Sequence, residues 1–120
     1  MRVALAVFLL VHGFAHLVGF LGAWRLSAQV PYKTTILGGR LDLGDRGIRV
    51  MGLLWLLAAL AFGVAAAATI AHPGWWLSFA LLVSLGSLLM CLTAWPEAKI
   101  GAGIDALLIP LLAFGATAGW

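Results

Sequence analysis

Charge is scarce in this chain. Only 9% of its 120 residues are Asp, Glu, Lys or Arg, where a water-soluble domain carries about 25%. That deficit excludes an ordinary soluble globule, and a hydrophobic content of 64% points to lipid as the solvent. Cysteine is nearly absent too. Cys91 stands alone, so no intrachain disulfide can form and cysteine usage says nothing about redox compartment. Catalytic signatures are missing: there is no Gly-x-Ser-x-Gly, no Walker sequence, no Cys-x-x-Cys and no His-Glu-x-x-His. No internal repeat is present, which removes the sequence mark of an inverted-repeat transporter. The net charge of +3 comes from Lys and Arg beside the apolar runs, so it reads as a topology signal and no nucleic-acid partner is expected.

What the chain does contain is four apolar stretches, expected as membrane-spanning helices at about residues 3–24, 47–71, 75–95 and 98–120. The first holds 22 residues, which at ~1.5 Å each reach about 33 Å, enough for a ~30 Å hydrocarbon core. Arg2 followed by Val3 to Val11 looks like the start of a signal peptide. No small-x-small cleavage site follows at once, however, and the apolar run continues to Trp24, so a first span is expected. Residues 25–46 form the one long connection, with Pro31, Gly38, Gly39, Gly44 and most of the charges. Such a segment is most often a surface loop; the rarer alternative is that part of it lies on the bilayer surface or caps the bundle mouth. The turn His72-Pro73-Gly74 and the link opened by Pro96 are short, so their flanking spans should pack antiparallel. The expected architecture is all-α, a single four-helix transmembrane bundle over residues 1–120.

Lys and Arg also predict orientation. Six of the seven (Arg25, Lys33, Arg40, Arg46, Arg49 and Lys99) fall on one side. The positive-inside rule then puts loop 25–46 in the cytoplasm and both termini outside, in a bacterial-type inner (plasma) membrane. Trp24, Trp75, Trp76, Trp95 and Trp120 sit at expected span ends, as an aromatic belt would; Trp55 lies well inside span two.

The chemistry-bearing residues lie within the spans. His12 and His16 are four residues apart, hence on one helix face, and polar groups at membrane depth are costly enough to suggest a role. Counting along the helices puts His16, Asp105, Ser87 and Trp55 each about eight residues from the same end of the bundle, or ~12 Å deep. A carboxylate beside an imidazole holds its tautomer and suits proton transfer, so His16 and Asp105 are the expected catalytic pair. Ser84, Ser87 and Cys91 form a stripe on span three and, with His12 and Trp55, are expected to line a ligand pocket. His12 lies about 6 Å deeper by helix rise and is expected to support His16 among apolar layers near Pro110. The blander reading of each histidine is structural, an interhelical hydrogen bond. Pro110 is expected to kink span four and free the carbonyl of Ala106. No metal site is assigned, because His-x-x-x-His needs a further ligand from Asp105, Cys91 or a second protomer. Bis-histidine haem ligation fits a same-helix pair poorly, and the cofactor stays unknown.

The pattern His12-Gly13-x-x-His16-Leu17-x-Gly19-Phe20, with Gly52-Leu53-Leu54-Trp55-Leu56 and Trp95-Pro96-Glu97-Ala98-Lys99-Ile100-Gly101, resembles a set of small bacterial four-span membrane proteins. The likeness covers most of the chain, and the group has no settled function. Its members usually carry Asn where this chain has Asp105, which implies hydrogen bonding there rather than obligatory acid–base work. A looser similarity, in architecture alone, is to the DoxX-like four-span proteins, linked to redox or quinone chemistry.

Three functions follow as expectations. The first is a site that binds or acts on a small lipophilic molecule. The second is a proton-coupled transporter or accessory subunit. The third is a structural protein that packs against a membrane partner, or a second copy of itself, through the Gly/Ala face of span four.

Overall fold

A computed structural model describes all 120 residues. Four helices form: α1 (Arg2–Ala23), α2 (Gly44–Ala71), α3 (Trp76–Thr93) and α4 (Lys99–Thr117). Each is long and apolar enough to cross a membrane, and the chain is an all-α membrane protein whose only strands are two short ones outside the four helices. Every backbone polar group in hydrocarbon must find an internal partner, and a helix supplies it within one segment. The exposed surface fits that solvent. Leu107, Leu82 and Leu89 are 66–76% exposed, while the buried positions are mostly small or polar.

Buried residues recur at helical spacing and mark the inward faces. They are Ala6, Leu9, Gly13 and His16 on α1, Ala80, Ser84, Ser87 and Cys91 on α3, and Ala102, Asp105, Leu108 and Leu112 on α4. Leu9, Phe62, Ala80 and Leu112 form the centre of the apolar core. α1 packs chiefly on α2, and α3 on α4, so the bundle is two helical hairpins joined along α2 and α3.

Glycine permits the first pairing. A Cβ on Gly13 would lie 2.6 Å from the Phe62 Cβ, and one on Gly19 would lie 2.5 Å from the Trp55 ring. Without side chains there, α2 comes close enough to lay both aromatic rings beside the histidines. The helix ends are set locally. α1 closes with Arg25 in the left-handed region (φ 54°), its N–H donating to Gly22 and that of Leu26 donating to Leu21, a Schellman arrangement. α2 ends at His72 (φ 57°), and Pro73 prevents it from continuing. Pro110 lies inside α4 without ending it.

The connection between α1 and α2 is more ordered than a surface loop. Thr35–Ile36 (β1) and Leu41–Asp42 (β2) pair antiparallel, Thr35 opposite Asp42 and Ile36 opposite Leu41. Asp42 Oδ1 accepts the N–H of Gly44 at 2.9 Å, and α2 therefore starts three residues earlier than expected. The Leu37 N–H donates to the carbonyl of Thr93 at 2.7 Å, and Lys33 Nζ lies 2.9 Å from Glu97. These two contacts hold the hairpin over one end of the bundle as a cap, where a plain surface loop is the commoner expectation. Trp76 also departs from expectation: it is buried, 5.5 Å from the His72 ring, and faces no lipid interface.

The cap carries a pH dependence. The hydrogen bond from Lys33 holds the Glu97 carboxyl below its ordinary value, and the Gly44 N–H does the same for Asp42. A carboxylate depressed in the folded state stabilises it above the ordinary value and loses that contribution as pH falls through the folded one. Hydrogen exchange at the Leu37 amide, corrected for intrinsic rate, should therefore accelerate below about pH 4. Glu97→Gln should show faster exchange already at pH 7. Equal protection in both proteins at both pH values would show that the ion pair does not hold the cap.

Candidate functional site

The site is built on α1, where His12 and His16 stand one turn apart with burial of 95% or more. Nδ1 of His16 donates to the carbonyl of His12 at 2.9 Å, within its own helix. That bond turns the other ring nitrogen outward, and Nε2 lies 2.7 Å from Ser87 Oγ on α3. His12 has no such tether at Nδ1. Its Nε2 reaches Asp105 Oδ1 on α4 at 2.9 Å. Ser87 Oγ lies 2.5 Å from Asp105 Oδ2, which closes a continuous chain His12–Asp105–Ser87–His16 across three helices.

The sequence-based depths pointed to His16 as the neighbour of Asp105, and this is corrected. The carboxylate meets His12 directly and reaches His16 only through Ser87. The cause is the carbonyl tether on His16, which aims that ring at α3 and leaves α4 to His12. Nor is His12 set among purely apolar layers, since the buried carboxylate is its partner.

The remaining expected residues divide. Cys91 Sγ lies 3.8 Å from Asp105 Oδ2, a weak contact at the edge of the chain. Ser84 stands apart: its hydroxyl donates to the Ala80 carbonyl at 2.8 Å and hydrogen-bonds neither histidine. On a helix, a serine hydroxyl has its own i−4 carbonyl within reach, and Ser84 takes that option where Ser87 does not. Trp55 is 5.4 Å from the His16 ring and forms a wall of the site. Phe62, absent from the expected set, packs against both imidazoles at 4.9 and 5.2 Å. It lies seven residues after Trp55 and thus on the same face of α2, a signal available in the sequence.

A cavity of about 520 Å³ lies between the hairpin and the bundle. Val18, Ile48, Met51 and Trp55 give it apolar walls, and Lys33 and Glu97 stand among the residues of its hairpin end. His16 and Asp105 do not line it; Trp55 belongs to both the cavity wall and the His16 surround. The pocket expected around the histidines is thus two compartments, a closed polar chain and an adjoining apolar cavity.

His12, His16 and Asp105 are also the residues that could hold a metal ion, with one ligand atom from each lying within 4.8 Å of the others. A cation bound through the Nε2 atoms of both histidines would have to replace the His12–Asp105 and His16–Ser87 hydrogen bonds. In both compartments the chemistry offered is that of hydrogen bonding, proton movement and apolar binding. No family model matches the chain, and no curated protein or solved structure matches it either.

Proposed function

We propose that the protein binds a small lipophilic molecule in the cavity under the hairpin cap and handles a proton for it through the buried histidine–aspartate chain. The observation that carries this reading is the shared wall. Trp55 bounds an apolar cavity of ligand size and packs 5.4 Å from His16. A molecule seated there would press on the indole that covers the polar chain. Its apolar body would meet Met51, Ile48 and Val18, and a polar end would find Lys33 and Glu97. The clustering of Lys and Arg near the cap supports a cytoplasmic location for that end, with the termini outside a bacterial-type inner membrane.

Native mass spectrometry of the protein released from nanodiscs tests the binding. The wild type should carry a co-purifying lipophilic molecule. Met51→Trp, which fills the cavity, should lower its occupancy at least tenfold, while Leu57→Trp on the exposed face should leave it unchanged. Equal occupancy in the two variants, or none in the wild type, would remove the reading.

A second reading, proton-coupled transport, draws on one further observation. Within the spans, His12–Asp105 and His16–Ser87 are the side-chain hydrogen bonds that join the α1–α2 hairpin to the α3–α4 hairpin. A proton shift there would be felt by both halves. Transport in proteoliposomes indifferent to a pH gradient would count against it.

A further inference from the structure

A hydroxyl has one hydrogen to donate, and Ser87 is asked for two. Nδ1 of His16 must carry a hydrogen, because its partner is a carbonyl that can only accept. A neutral His16 therefore offers a bare lone pair at Nε2, 2.7 Å from Ser87 Oγ. An ionised Asp105 would offer another at Oδ2, 2.5 Å from the same oxygen. With one hydrogen between them, one of these contacts would set lone pair against lone pair in a site where Asp105 is fully buried. Leaving such a buried group unpaired is costly. A second hydrogen in the chain removes the conflict.

We propose that Ser87 joins His16 and Asp105 into one unit that holds a single transferable proton. Two arrangements satisfy every contact. In one, Nε2–H of His16 donates to Ser87 Oγ and the Ser87 hydroxyl donates to Oδ2, leaving an imidazolium and a carboxylate. In the other, Oδ2–H of Asp105 donates to Ser87 Oγ and the hydroxyl donates to Nε2, and both groups are neutral. Both contain the same hydrogens. Conversion breaks the Nε2–H bond as an O–H bond forms on Ser87, and breaks the original Ser87 O–H bond as one forms on Oδ2. No electrons are transferred and no co-reactant is consumed. His12 bonds to the other carboxylate oxygen throughout and is a positioning residue for Asp105.

This deepens the proposed function and rests on its premise that the buried group handles a proton, yet it can be read without any lipophilic ligand. The test is nitrogen-15 NMR of histidine-labelled protein in nanodiscs. Asp105→Asn is the informative variant, because an amide can donate to Ser87 and accept from His12 but cannot give its hydrogen away. In the wild type the His16 Nε2 resonance should lie between the protonated and unprotonated limits. In Asp105→Asn it should move to the unprotonated limit, and in Ser87→Ala it should no longer respond to Asp or Asn at position 105. If Ser87→Ala does not fold, Ser87→Cys, close in size and a weak donor, should show a reduced response. An Nε2 resonance identical in the wild type and Asp105→Asn overturns the proposal, as does a full response to position 105 without the Ser87 hydroxyl. An empty cavity would refute ligand binding and leave these resonances unchanged, so the two failures can be told apart.

Discussion

Asp105→Ala is expected to destabilise the protein by about 2–4 kcal/mol in detergent unfolding, the largest effect of any single polar replacement. The carboxylate receives His12 on one oxygen and Ser87 on the other, and all three side chains are buried. Its removal deletes two hydrogen bonds and leaves His12 Nε2 unpaired, with Ser87 retaining only His16. Interhelical hydrogen bonds in membranes are individually modest, roughly 0.6 kcal/mol on average and up to about 1.7. The larger figure expected here comes from the stranded buried donor, which costs about 1–3 kcal/mol more. Asp105→Asn separates this from acid–base chemistry. The amide reproduces both contacts and should stay within about 1 kcal/mol of the wild type, while losing any proton turnover. If Ala and Asn are equally stable, the carboxylate does not organise the bundle.

The second large effect is steric. Gly13→Ala should cost about 1–3 kcal/mol, the usual range for overpacking, although Ala is the better helix former. The added methyl would stand 2.6 Å from Phe62 Cβ and 3.3 Å from the Ala59 carbonyl, atoms fixed to the α2 backbone that cannot swing away. α1 and α2 would have to part, drawing Phe62 off both imidazoles. Gly63→Ala is the control: a Cβ there meets nothing within 4 Å, so the helix-propensity gain should stand alone. Equal stability of the two variants would mean that the close approach at Gly13 has no energetic weight.

Four helices were readable from the sequence because lipid leaves the chain few options: long apolar runs must satisfy their own backbone, and the breaks between them carry charges or, at His72-Pro73-Gly74, a Pro-Gly turn. Membership of the polar cluster was readable in part, since His12, His16, Ser87 and Asp105 are costly at that depth and each lies on a buried stripe. Their pairing was not. It depends on one imidazole choosing its own helix's carbonyl, which leaves no trace in spacing. The hairpin cap was hidden for another reason. Two-residue strands carry no periodicity, and what fixes them is a contact with Thr93, more than fifty positions away. Ser84 and Ser87 show the same limit, identical residues one turn apart with different partners.

The division into two hairpins also bears on how the protein is made. α1 and α2 emerge first and can complete their own packing, Gly13 against Phe62 and Gly19 against Trp55, with no help from the rest of the chain. At that stage His12 lacks its eventual partner, for Asp105 lies 93 residues further on. A chain that has reached only α3 thus carries a polar seam without its carboxylate, and arrival of α4 closes it. A chain cut short before Asp105 carries that seam permanently, a mark by which a membrane quality-control protease could tell the unfinished molecule from the finished one.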